Sequence, residues 1–319
     1  MEEKTPIQPP PQGLIIDLVT PLTETGNLDM DSLRRLLAHV SPYAAGMMVG
    51  SPEVGEGLHL GLEVRLELAR GALDAAPAGL PVFIGITAGS TEATFELARK
   101  LAELAAGSQR PICWLDAPLW HHSNRGLPLT YAVLAAETGR PAVLLNAPGL
   151  VGRLGQHLKH KNIRTAVLKK LAEEREIAGL IYQGEMARLL NYCRAAAGRR
   201  EFVIYEGDEV RFLTRPGALG VASAGAQVFP QVWAAVSRAC IHPEAQEAGG
   251  ADRLALWEAS QGLVRLAEVY RRQPAGLIKA GLVELGMIAS AATASGGDIP
   301  AARLEEFIRA VRELASKVE

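Results

Sequence analysis

Polar and acidic residues recur just beyond short apolar runs of this chain. Thr20 follows GLIIDLV (13–19), and Ser51 and Glu56 follow AAGMMVG (44–50). Asp116 ends the apolar part of PICWLDA (111–117), with Trp120, His121 and His122 behind it. Glu206, Asp208 and Glu209 surround the end of EFVIYEG (201–207). Hydroxyl and carboxyl groups gathered at one place serve proton transfer. Carboxylates and imidazoles can also hold a divalent ion. The spacing here matches no particular metal site, and His157-x-x-His160 is one turn of a polar loop, so no metal is expected. A lysine nucleophile would permit carbon–carbon chemistry through an imine. None of the eight apolar runs contains one.

The chain has eight lysines and twenty-five arginines. Lys159 and Lys161 lie in a link, 149–161, long enough to fold over a barrel mouth. Lys279 falls on an expected helix, where a structural or surface role is anticipated. Gly89-Ser90-Thr91 opens another helix, whose free N–H groups attract anions. Helix capping explains the same residues. No GxGxxG or GxxxxGK(S/T) sequence is present, so no cofactor is expected.

The elements that must position these groups alternate. Strand-like runs at 13–19, 44–50, 81–87, 111–117, 142–147, 177–182, 201–207 and 218–224 are each followed by a helix-like stretch. That order predicts an α/β fold, a (β/α)8 TIM barrel with its site at the C-terminal ends of the strands. Asp29 or Asp31 should cap the first helix, and Ser90 or Thr91 the third. After the eighth unit the pattern is purely helical, over 251–271, 276–285 and 300–318. The expected organisation is a flexible proline-rich arm (1–12), the barrel (13–242) and a C-terminal helical extension packed on it (243–319).

Composition narrows the partners. With 319 residues and 48% apolar content the chain can bury a large core. A net charge of −2 gives no footprint for nucleic acid or a membrane surface. Three distant cysteines suggest neither disulfides nor zinc, and Cys113 reads as a small buried hydrophobe. No signal-peptide pattern and no run of 18 apolar residues is present, so a cytoplasmic location is expected.

Local motifs at the ends of the runs carry a resemblance. They are Val19-Thr20-Pro21-Leu22, Gly50-Ser51 with Gly55-Glu56, Leu145-Asn146-Ala147-Pro148, Gly207-Asp208-Glu209, Gly220-Val221-Ala222-Ser223 and Ile278-Lys279-Ala280-Gly281-Leu282. In order and spacing they resemble the dihydrodipicolinate synthase / N-acetylneuraminate lyase family from about Gly13 to Val318. The resemblance implies a barrel with a helical extension, assembled as a homodimer or homotetramer. It also implies lysine Schiff-base chemistry on pyruvate-type 2-oxo acids.

The resemblance further implies which positions should carry that chemistry. The lysine position falls at Ile181, the proton-shuttle tyrosine at Leu145, the carboxylate-binding arginine near Leu150 and an aromatic hydroxyl at Trp120. The Gly-Thr-Thr-Gly-Glu element becomes Gly50–Glu56, longer by Pro52-Glu53, and keeps one hydroxyl at Ser51. Leucine and isoleucine can neither form an imine nor move a proton. The expectation is a pseudoenzyme or small-ligand binder without confident catalytic residues. Its pocket would be walled by Thr20, Ser51, Glu56, Trp120, Leu145, Leu150 and Ile181. Such walls would suit a neutral or aromatic ligand better than pyruvate. The alternatives are an active lyase or synthase on a pyruvate-like 2-oxo acid with relocated residues, or a metal-dependent enzyme using acidic and histidine groups at the mouth. Alternation should point Tyr182 away from Ile181, toward the helix layer.

An apolar strand-six end avoids the desolvation cost of a buried amine. Ile181→Lys should therefore lower the melting temperature at pH 7. An unchanged or raised value, read by calorimetry, would show that this end of the strand is wet.

Overall fold

The computed structural model describes residues 10–154, 160–242 and 253–318. Most of the expected arm, residues 243–252, and His157 and Lys159 in the link fall outside the described residues. Eight strands form one closed parallel barrel in sequential order. They are β1 (Gly13–Asp17), β2 (Gly46–Val49), β3 (Val82–Gly85), β4 (Ile112–Asp116), β5 (Ala142–Asn146), β6 (Ile177–Tyr182), β7 (Val203–Glu206) and β8 (Gly220–Ser223). With the helices around them this is the expected (β/α)8 architecture.

Successive strand residues point to opposite faces, so each run feeds two apolar layers. Ile15, Phe83, Leu115, Val143 and Tyr205 fill the interior, and Cys113 packs there as an apolar group. Phe83 and Tyr205 meet edge to face at 6.4 Å, so the barrel is packed rather than hollow. Ile181 sits opposite Leu145 on one side and Tyr205 on the other. Tyr182 points outward as expected, with its ring 5.1 Å from that of Tyr192.

The helices of the barrel wall are α1 (Met30–Val40), α2 (Leu62–Ala75), α3 (Thr91–Leu104), α4 (Leu127–Thr138), α5 (Pro148–Gly152), α6 (Thr165–Glu173), α7 (Met186–Ala196), α8 (Glu209–Thr214) and α9 (Pro230–Ile241). Asp29 caps α1, accepting from the Ser32 N–H at 3.0 Å. Ser90 caps α3, accepting from the Ala93 N–H at 3.2 Å. The link after β5 is not loop throughout, because Pro148 opens the short turn α5.

The extension comprises α10 (Arg253–Tyr270), α11 (Pro274–Glu284) and α12 (Ala301–Val318). Helix α10 packs on α8 and α9, and α12 packs on α10 and α11. Among the described residues no helix is long and apolar enough to cross a membrane.

Lys279, on α11, is fully buried, which leaves it the structural one of its two expected roles. Its Nζ donates to Glu56, in the loop after β2, and to the Ala292 carbonyl at 2.6 Å. Glu56 also accepts from the backbone N–H groups of Ala294 at 2.7 Å and Ser295 at 3.1 Å. Its φ is +55°, in the left-handed region, and no other non-glycine among the described residues has a positive φ. The three partners of its carboxylate, Lys279, Ala294 and Ser295, hold that backbone in place.

Removing one partner of a buried pair strands the other charge, at a cost of about 3–5 kcal/mol. Lys279→Met should lower the unfolding free energy in water by that amount, read as a lower urea midpoint with the m-value unchanged. An unaltered midpoint would show the pair to be dispensable.

Candidate active site

The C-terminal ends of the strands surround a cavity of about 220 Å³. Its floor is apolar, made by Met48, Leu115, Leu145, Ile181 and Ala222 from the interior layer. Its sides are not. Asp17, Ser51, Gln183, Glu209 and Tyr270 line it, together with Glu53, and with Asp208 and Arg271 exposed at its edge. A lining suited to a neutral or aromatic ligand, as expected, is therefore found only at the floor. Arg271 is the sole cation of the lining among the described residues, and no lysine of the described residues reaches it.

Asp17 closes β1. It shares the inward face of Ile15, two residues earlier, one layer nearer the mouth. Its Oδ1 is out of solvent and has no hydrogen-bond partner. Burial pushes its pKa up to about 8, the Ser51 hydroxyl pulls it down, and the charges of Glu209 and Glu53 add to the rise. At neutral pH this carboxyl keeps its proton, so it can donate a hydrogen bond.

Glu209, at the start of α8, is fully engaged. Its Oε1 accepts from the Ser223 hydroxyl and from the Gly225 N–H at 2.9 Å, and its Oε2 from the Tyr270 hydroxyl at 2.6 Å. Burial raises its pKa, and these donors act against the rise. Tyr270 comes from α10, so the extension completes the cavity wall. Glu53, in the lengthened loop after β2, pairs with Arg153 beside α5 at 2.5 Å. The two stretches whose effect on the mouth the sequence leaves open thus meet in an ion pair.

Ser51, Leu145 and Ile181 line the cavity as expected positions would. Thr20, Glu56, Leu150 and Trp120 do not. Thr20 is buried behind the loop after β2, and its hydroxyl donates to the Gly55 carbonyl at 2.7 Å. Glu56 turns to Lys279. Leu150, on α5, is buried in the interior apolar cluster. Trp120 lines an outer cavity of about 480 Å³ with Arg153 and Arg272, which shares Pro52, Glu53 and Pro274 with the inner one.

The other acidic and histidine groups are committed elsewhere. Asp116 faces outward and accepts from Thr87 at 2.8 Å, Tyr131 at 2.7 Å and His121 at 3.2 Å. Glu206 receives the Arg211 fork. Among the described residues no three His, Cys, Asp or Glu side chains converge as metal ligands. Lys161 packs against α5, its Nζ 3.2 Å from where a Cβ on Gly152 would lie.

The model of the dihydrodipicolinate synthetase family matches residues 10–294. The chain belongs to that family. A 4-hydroxy-tetrahydrodipicolinate synthase of Cellvibrio japonicus is 30% identical over 233 residues, 72% of this chain and 74% of that protein. One from Moorella thermoacetica is 28% identical over 246 residues, 75% of this chain and 79% of that protein. A prophage protein of the dihydrodipicolinic acid synthase family from E. coli K12, solved in complex with pyruvate, shares the fold with a TM-score of 0.78. It is 22% identical, over 95% of this chain and 98% of that one.

For a dihydrodipicolinate synthetase family member, the groups that sequence reasoning missed are Asp17 and Tyr270. Asp17 was legible by counting two from Ile15 along an inward face. Tyr270 carries no such signal, because it arrives from a helix outside the barrel.

Asp17 binds its proton more tightly folded than unfolded, where its pKa is near 4. Stability therefore falls as pH rises from about 4 to 8. Asp17→Asn should match the wild type in melting temperature at pH 4 and exceed it increasingly up to pH 9. A difference that does not change with pH would place the Asp17 carboxyl in water.

Proposed function

We propose that the protein is an aldolase-type carbon–carbon lyase or synthase acting on a small 2-oxo acid, with its acid–base groups moved off strand six. The observation that carries this reading is the cavity at the strand ends, walled by Asp17, Glu209 and Tyr270 in place of a lysine and a tyrosine. Family membership and the pyruvate-bound E. coli relative support the substrate class. The volume of about 220 Å³ suits a compact ligand. Arg271 is the cation available to a substrate carboxylate.

Cleavage of a 4-hydroxy-2-oxo acid needs two proton transfers and somewhere for an electron pair to rest. A carboxylate of the lining takes the 4-hydroxyl proton, and the O–H pair forms the new aldehyde carbonyl. The C3–C4 bond breaks, and its pair passes to the C2 carbonyl oxygen as an enol. Return of a proton to C3 gives the 2-oxo acid. Acid–base groups suffice for this sequence if the developing oxyanion is stabilised. The homodimer or homotetramer that the family resemblance implies is part of the same reading.

The apolar side chains of Leu145 and Ile181 in the floor favour a second reading, ligand binding without turnover. Release of pyruvate from a panel of 4-hydroxy-2-oxo acids, followed with and without borohydride, separates the two. The expected outcome is turnover that survives borohydride, with no lysine adduct in the peptide map. Absence of turnover would favour the binder. Inactivation with one stoichiometric adduct would instead reveal a lysine nucleophile, and the map would test Lys159.

A further inference from the structure

We infer that Asp17 is the catalytic acid of this cavity, a neutral carboxyl that donates its proton to the substrate's carbonyl oxygen as the carbon–carbon bond breaks. The inference rests on the lyase reading above and assigns its electron-accepting step. The geometry is particular to this side chain. Asp17 stands at the C-terminal end of β1 on the inward face, and it lines the cavity. Of its oxygens, Oδ1 is shielded from solvent with nothing to bond. A buried polar atom without a partner is costly, and a ligand that supplies one recovers that cost.

The other acids of the cavity already accept hydrogen bonds or pair with a cation, the role of a base rather than of a proton donor. Glu209 receives three donors, and Glu53 has Arg153. Asp208 caps α8, accepting from the Arg211 N–H at 3.0 Å. That leaves Asp17, a lining residue whose buried Oδ1 has no partner.

The surroundings keep it protonated. From the loop after β2 come Glu53 and the Ser51 hydroxyl, from the β7 end Asp208 and Glu209, and from the extension Tyr270 and Arg271, the one cation of the lining among the described residues. Burial and the negative charges of Glu209 and Glu53 disfavour a second ionised carboxylate at this point. An enolate needs a hydrogen-bond donor where an imine would have supplied a positive charge. A neutral carboxylic acid in a partly dry pocket is such a donor. In the step itself the Asp17 O–H bond breaks and the proton passes to the carbonyl oxygen, leaving Asp17 as carboxylate. When the enol becomes the ketone, the enol proton returns to Asp17, and C3 takes the proton held by the base. Nothing outside substrate and protein is consumed.

The test uses the full chain, with Asp17→Asn and Asp17→Ala. Turnover of 4-hydroxy-2-oxopentanoate is measured from pH 5 to 10. Binding of 4-nitrophenolate, an oxyanion on an apolar ring, is followed by its absorbance over the same range. The wild type should lose kcat above about pH 8, and Asp17→Asn should lower kcat by roughly 10²–10⁴-fold and abolish that limb. Wild-type affinity for the phenolate should fall about tenfold per pH unit above the same point, as one proton is lost. Asp17→Ala should bind at least tenfold more weakly at pH 7, and Asp17→Asn without pH dependence. Variants that keep the alkaline limb, or bind the phenolate as the wild type does, overturn the assignment. Phenolate binding that follows the expected pattern without turnover of the hydroxy-oxo acid sustains Asp17 as the oxyanion-binding acid and removes the lyase reading.

Discussion

The buried contact between Glu56 and Lys279 joins the parts of the molecule that make the cavity. Glu56 ends the loop after β2, which contributes Ser51 through Val54 to the wall. Lys279 belongs to α11, which starts at Pro274 just after Arg271 and the last residue of α10, Tyr270, and all three line the wall. A barrel alone would present the strand ends to solvent. The ion pair and the backbone donors of Ala294 and Ser295 draw the extension over them. A charge pair this deep is held by geometry rather than by attraction alone, because desolvation offsets most of the Coulomb energy. It fixes a conformation, including the left-handed backbone at Glu56.

Close backbone packing serves the same loop. Gly50 takes φ +62°, and a Cβ on Gly85 would stand 1.9 Å from the Gly50 carbonyl oxygen. Only glycine at position 85 lets the loop settle on the end of β3. Thr20 then ties it from beneath through the Gly55 carbonyl. Residues that resemble site residues by position thus act one step behind the cavity: Thr20 and Glu56 shape the loop that presents Ser51.

Much of the fold was legible because its signals are local. The apolar runs gave eight strands, and Asp29 and Ser90 marked helix starts through chemistry that lies within three residues. Long-range pairing was not legible. Glu56 and Lys279 are separated by 223 positions, and the sequence left Lys279 between a structural and a surface role until a buried carboxylate met it. The expected pocket differs for a similar reason: Thr20 and Glu56 turn to partners behind the loop, Leu150 is buried on α5, and Trp120 faces the outer cavity. Asp17 is a different case. It sits in GLIIDLV, where an apolar reading absorbs one acidic residue as noise, although strand alternation already placed it inward.

The apolar pair Leu145 and Ile181 and the acidic Asp17 are best understood together. A buried lysine beside a free carboxyl would form a salt bridge, lowering the carboxyl's pKa and raising the amine's. Neither group would then be in the state its chemistry needs. With Ile181 facing the cavity, no amine of the described residues neutralises the negative field, and that field keeps a proton on Asp17. The apolar floor also lowers the local polarity, which strengthens any hydrogen bond that a neutral acid makes to an oxyanion. An apolar residue at position 181 and a protonated acid at position 17 are, in this electrostatic sense, one arrangement rather than two.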